Sequence, residues 1–284
     1  MSKLVALVDG SIYAHSVCQH AAWIAARTDA SVEILHVLGR REISGSQQDY
    51  SGSISLGART ALLEELSSLD EQRAKLAQKR GRAILEDAKA IVESAGVRSV
   101  TTRLRIGDIV ETVAESEADA DLVVIGKRGE AADFAKGHLG SNLERIVRSS
   151  TKPVVVAARA FTPIERILIA YDGGTSAMKA VDHIARSPLF AGLTCRVLLV
   201  GDESVEHKRQ LADARAMLEG AGYEVSADIV KGQPDSVIAD AVKSEGIGLL
   251  VMGAYGHSRI RSFVIGSTTT EMVRSCKIPV MLFR

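Results

Sequence analysis

The stretch Leu4-Val-Ala-Leu-Val-Asp9-Gly10 returns 163 residues later as Ile167-Leu-Ile-Ala-Tyr-Asp172-Gly173. At the same offset Val32-Glu-Ile-Leu-His-Val37 returns as Cys195-Arg-Val-Leu-Leu-Val200. Further on, Asp121-Leu-Val-Val-Ile-Gly126 answers Gly248-Leu-Leu-Val-Met-Gly253. Gly140-Ser141 answers Gly266-Ser267, and Pro153-Val-Val-Val answers Pro279-Val-Met-Leu. The order is the same in both halves, which identifies a duplicated domain. The predicted halves are residues 1–160 and 161–284, joined without a long linker.

Each half alternates short apolar runs with helical stretches. In the first half the strand candidates are residues 4–8, 32–37, 100–105, 121–125 and 154–157, with helices over 15–27 and 109–117. Nearly continuous apolarity in short Val/Ile/Leu runs is the mark of strands covered on both faces. Alternation of strand and helix predicts right-handed crossovers. The expected fold class is α/β: two tandem doubly wound domains, each a five-stranded parallel sheet flanked by helices.

One asymmetry is large. Val37 and Val100 are 63 positions apart, whereas Val200 and Val225 are 25 apart. The first half therefore carries an insertion, around residues 44–95. Residues 44–57 are rich in Gly and Ser and read as a loop. Residues 59–95 are rich in Ala, Leu, Glu, Lys and Arg, strong helix formers. Leu62, Leu69, Leu76 and Ala83 recur every seven residues, and Gly81 is a candidate break. The expectation is a mostly packed helix with an exposed arm, an arm that offers a surface for a homodimer.

Composition excludes several classes. The chain has 284 residues and 46% hydrophobic content, so disorder is not its main state. Lys+Arg and Asp+Glu are each 35, so the basic excess of a general nucleic-acid binder is absent. Three scattered cysteines with no CxxC pair predict reduced thiols and neither a zinc knuckle nor a disulfide scaffold. The apolar run before Asp9 is five residues long, too short for a signal-peptide core, and no uncharged run approaches the roughly 20 residues that span a bilayer. The expected setting is cytoplasmic, without membrane.

Chemistry concentrates after residue 252. Gly253-Ala-Tyr-Gly256 is followed by nine residues and then Gly266-Ser267-Thr268. Gly253 ends a predicted strand, and Gly266 and Ser267 precede a predicted helix. Ligands bind outside the carboxyl ends of strands in open parallel sheets. Helix N-termini supply free N–H groups and positive potential that suit phosphate. A loop closed by a Ser/Thr helix cap, with no ligand, fits the same residues. There is no GxSxG elbow and no GxxxxGK[ST] loop. His15, Cys18 and His20 cluster in sequence, but on a helix His20 points away from the other two, so no metal site is expected.

Gly-x-x-Gly, nine residues and Gly-Ser after a strand, with Asp-Gly closing the first strand, resembles the ATP-binding subgroup of the universal stress protein family. The duplication resembles its tandem members, and only residues 44–95 fall outside the likeness. The resemblance implies ATP, with or without Mg2+, bound without a well-defined catalysed reaction and with no catalytic residue. Asp172 would face the adenosine and Val200 the adenine. Met252, Gly253, Gly256, His257, Gly266, Ser267 and Thr268 would line the ribose and phosphates. In the first half Asp9, Val37, Gly126, Gly129, Gly140 and Ser141 hold the matching places, but the pattern departs. Ten residues separate Gly129 from Gly140, Asn142 replaces Thr268, and Glu130 and Asp133 enter the loop, with Lys127, Arg128 and Lys136 available to offset them or to face solvent. The first site is therefore expected to be weaker. A stress-associated sensor or regulator is the leading expectation. A slow ATPase or adenine-nucleotide-processing enzyme, and a nucleotide-free interaction module, are the alternatives. The strongly apolar final strand of each half is expected to pair with the other, making an intramolecular pseudo-dimer.

Overall fold

A computed structural model describes residues 2–39, 56–127, 141–254 and 267–284. The first half runs β1 (Lys3–Leu7), α1 (Ala14–Thr28), β2 (Ser31–Leu38), α2 (Leu56–Ser94), β3 (Val100–Ile106), α3 (Ile109–Glu117), β4 (Leu122–Gly126), α4 (Ser141–Ser149) and β5 (Val154–Ala157). The second runs β6 (Arg166–Tyr171), α5 (Thr175–Arg186), a 3-10 turn (Pro188–Phe190), β7 (Thr194–Val200), α6 (Val205–Gly220), β8 (Val225–Val230), α7 (Pro234–Ser244), β9 (Leu249–Gly253), α8 (Ser267–Ser275) and β10 (Val280–Phe283).

Local chemistry sets the boundaries. Asp108 caps α3 by accepting from the Val110 and Glu111 N–H groups at 2.8 and 3.3 Å. Ser204 caps α6 through the His207 N–H at 3.0 Å. Pro234 opens α7 where its missing N–H costs nothing. Asp29 ends α1 in the left-handed region at φ 50°.

Among the described residues, ten strands form one sheet in the order β3-β2-β1-β4-β5-β10-β9-β6-β7-β8. Neighbours within each half are parallel. The halves meet antiparallel at β5 and β10, with Val280 opposite Val156, Met281 opposite Val155 and Leu282 opposite Val154. Helices cover both faces. One core packs α1, α2, α5 and α6 against the sheet, and the other packs α3, α4, α7 and α8. Each core is continuous across the seam: Val155 and Met281 lie in the first, Val156 and Val280 in the second.

Polar contacts also cross the seam. Arg27 donates to the Leu189 carbonyl at 2.5 Å and to that of Ala191. Arg284 donates to the Arg148 carbonyl. The chain between the halves passes over α1, where Phe161 meets His20 edge to face at 5.0 Å. His20 is buried, with Nδ1 2.7 Å from the Ser16 carbonyl. Burial holds its pKa below the ordinary value, the Ser16 contact opposing. His183, at the equivalent place on α5, is also lowered by burial. A histidine lowered on folding takes up protons more readily when unfolded. Stability is therefore retained above the unfolded pKa of about 6.5 and falls as pH drops below it. Urea midpoints should be lower at pH 5.5 than at pH 7.5, and His20→Leu should flatten that dependence. An unchanged slope would place the pH sensitivity elsewhere.

The structure departs from two expectations. Gly81 does not break the long helix: α2 runs unbroken for 39 residues, about 58 Å at 1.5 Å per residue. Gly81 is instead a contact residue. A Cβ there would sit 2.8 Å from Leu104 Cδ1 and 3.0 Å from His36 Cδ2, so glycine lets α2 approach β2 and β3 closely. Lys127 does not face solvent. It is buried and donates to the Cys276 carbonyl at the end of α8, in the other half. The His15, Cys18 and His20 side chains do not converge: Cys18 and His20 are buried and His15 is exposed. Among the described residues no cluster has the makings of a metal site.

Candidate functional site

Neighbouring strands β9, β6 and β7 end together at their carboxyl edge. Gly253 closes β9, Asp172 follows β6 and Val200 closes β7. Asp172 is exposed, and its Oδ1 accepts the Gly174 N–H at 2.8 Å, bending the chain into α5. Gly173, between them, holds φ +73°, a conformation that suits glycine. Val200 is half-buried and Met252 buried, both packed in the second core. At Gly253 an added Cβ would stand 3.1 Å from Ser176 Cβ and 3.4 Å from the Ala177 nitrogen. Glycine thus lets the first turn of α5 press against the end of β9.

The first turn of α8 is tied to the same edge, for Thr269 donates to the Gly253 carbonyl at 3.2 Å. Thr268 is half-buried in that turn, beside Ser267. No acid stands in the first turn of α8. Gly256, His257 and Gly266 lie outside the described residues, as do Gly129 and Gly140.

Sequence reading missed the contribution of α6. Gln210 lies over Gly173, where a Cβ would be 2.2 Å from its Oε1, and its amide donates to Glu206 at 2.9 Å. His207 stands over Gly201, with Nδ1 2.7 Å from the Asp202 carbonyl. No local motif marks either residue. Only the packing of Leu211, Ala214 and Leu218 fixes which face of α6 they share. Beneath, Tyr171 is buried, and its hydroxyl pKa is raised by burial and then by the Asp172 and Asp213 carboxylates.

The first half repeats the strand ends but not the surroundings. Asp9 follows β1 and accepts the Ser11 N–H at 3.0 Å, Val37 lies near the end of β2, and Gly126 closes β4. Leu85, Ala88 and Val92 bury α2 with the spacing that Leu211, Ala214 and Leu218 use in α6. In that register Ile84 stands where the second half has Gln210, and Gly81 where it has His207. The first turn of α4 holds Glu144, paired with Arg148 at 2.9 Å, where α8 has no acid. A cavity of about 580 Å³ at the seam is lined by Lys3, Asp121, His183 and Phe283 among others, and touches none of these strand-end residues.

The universal stress protein family profile matches residues 1–158 and 196–284. The chain belongs to the universal stress protein family. A universal stress protein of Synechocystis, Slr1230, is 36% identical over the full length of both chains. The fold of a universal stress protein from Archaeoglobus fulgidus overlays 99% of this chain and 98% of its own at a TM-score of 0.70, with 20% identity. An Arabidopsis thaliana family member whose structure holds AMP covers 43% of this chain and 90% of its own, at 20% identity and a TM-score of 0.33. Among the described residues, no helix of this universal stress protein is long and apolar enough to cross a membrane.

Proposed function

We propose that this universal stress protein binds ATP in its second half and acts as a cytoplasmic stress-response sensor or regulator rather than a turnover enzyme. The observation that carries the reading is the convergence of three elements at one sheet edge. The Asp172 turn, the glycine end of β9 and an acid-free helix N-terminus tied to it by Thr269 all meet there. In this reading Asp172 accepts hydrogen bonds from the ribose, and Val200 and Met252 give the base an apolar wall. Gly253, Gly256, Gly266, Ser267 and Thr268 let backbone and hydroxyl groups reach the phosphates, with His257 beside them. A Mg2+ ion would arrive with the nucleotide, neutralising its phosphates. Asp172, the carboxylate that directly follows β6, is engaged by the Gly174 N–H, which supports retention of the nucleotide over its hydrolysis.

Residues 1–160 and 161–284 act in this proposal as two domains, and the β5–β10 pairing supports a chain that serves as its own dimer. The first-half site is the weaker one. Glu144 opposes phosphate at the α4 N-terminus, and Ile84 and Gly81 lack the polar groups of Gln210 and His207.

Mass spectrometry of protein purified natively and then denatured should release an adenine nucleotide. Calorimetric titration with ATP should give one dominant site per chain, and two equal sites would contradict the asymmetry. Release of phosphate over many turnovers would replace the sensor with an ATPase.

A further inference from the structure

The arm of α2 carries two features that the sheet does not use. Leu69 and Leu76 are 43% and 66% exposed, and Ala83 is exposed. They lie on the side of the helix opposite Gly81, Leu85, Ala88 and Val92, which press against the body of the first half. The charges are also segregated along the helix. Residues 64–71 hold Glu64, Glu65, Asp70 and Glu71 and no base; residues 73–82 hold Arg73, Lys75, Lys79, Arg80 and Arg82 and no acid. The helix in the equivalent place in the second half, α6, has 16 residues against the 39 of α2, so covering the sheet does not require the arm.

We infer that α2 is a self-pairing surface whose occupant is α2 of a second copy, running antiparallel and centred between residues 72 and 73. In that register Leu69 meets the partner's Leu76 and Leu76 meets the partner's Leu69. Glu65 comes opposite the partner's Arg80, and Arg80 opposite the partner's Glu65. A parallel pair in register would set the acidic block on the acidic block and the basic on the basic, which is repulsive along its length. The antiparallel pair is a closed twofold, with each residue of the seam used once in each direction. The inner face of residues 81–92 is already packed, so the partner takes the outer face and the two bodies sit at opposite ends of the pair. Within one helix Asp70 lies 3.7 Å from Arg73 and Glu71 lies 2.6 Å from Lys75. Exposed pairs of this kind contribute less than about 1 kcal/mol and can exchange for contacts between helices. Nothing in this pairing depends on nucleotide.

Light scattering on the full chain tests it. The parent should have twice the chain mass of 30.3 kDa. Reversing the acidic block (Glu64→Lys, Glu65→Lys, Asp70→Lys, Glu71→Lys) should give a species of half the parent mass with an unchanged circular dichroism spectrum. Reversing the basic block to glutamate should do the same, and mixing the two variants should restore the dimer. Direction is read by crosslinking: chains carrying Leu69→Cys should join chains carrying Leu76→Cys under mild oxidation, while neither should join itself efficiently. A monomeric parent, a dimer indifferent to both reversals, or Leu69→Cys chains that join one another as well as the mixed pair would each overturn the inference.

Discussion

Met281→Asp is expected to remove most of the stability of the molecule. Met281 is fully buried in β10, flanked by Val155 across the antiparallel seam and by Val251 on the other side. A carboxylate there has no partner and no water, and burying it unpaired costs several kcal/mol. Domain stability is of order 5–15 kcal/mol in total, so the loss is comparable with the whole. Met281→Ala keeps the site apolar and should cost about 2–5 kcal/mol through the cavity it leaves. Because both cores run across the seam, the parent should unfold in one cooperative step by fluorescence and circular dichroism. Two well-separated transitions in the parent, with Met281→Ala moving only one, would mean that the halves are energetically independent.

The second large effect is expected at the glycines that close and follow β9. Gly256→Val places a branched side chain where the proposed phosphates lie, and calorimetry should detect no ATP binding. Gly253→Val acts through packing: its Cβ would already sit 3.1 Å from Ser176, and two more carbons would force the first turn of α5 outward. That movement carries the Asp172 turn with it, so affinity should fall at least about tenfold, or roughly 1.4 kcal/mol. Gly126→Val, at the matching place in β4, should leave the dominant ATP site unchanged. If Gly256→Val binds as the parent does, the nucleotide lies elsewhere.

Much of the fold was readable because it is written in local, repeated signals. The helix over residues 109–117 and the strand over residues 154–157 fall where the apolar period puts them. The strands also keep their order along the chain in both halves, as the repeated Asp-Gly and Gly-Ser landmarks indicate. What stayed hidden depends on contacts made at a distance. Gly81 looked like a helix break because propensity counts glycine against a helix. The gain in closeness to His36 and Leu104 is invisible until β2 and β3 are in place. Lys127 looked solvent-facing because a partner that buries it, the Cys276 carbonyl, lies 149 residues away. Gln210 and His207 carry no motif, and they gain meaning only from the side of α6 that Leu211, Ala214 and Leu218 bury. At the candidate site the sequence showed the strand ends and the helix start. It did not show what stands over them.

The antiparallel join of β5 to β10 has a consequence for dilution. Two separate chains that meet edge to edge part when their concentration falls below the dissociation constant. Here the same edges belong to one polypeptide, and the short connector between β5 and β6 holds them at an effective concentration of order millimolar. The join therefore persists however scarce the protein is. It also frees each half to change alone: a substitution such as Ile84 or Glu144 enters one side of the twofold without its mirror image on the other. A symmetric pair of identical chains cannot keep one nucleotide site while letting its twin drift, and a fused pair can.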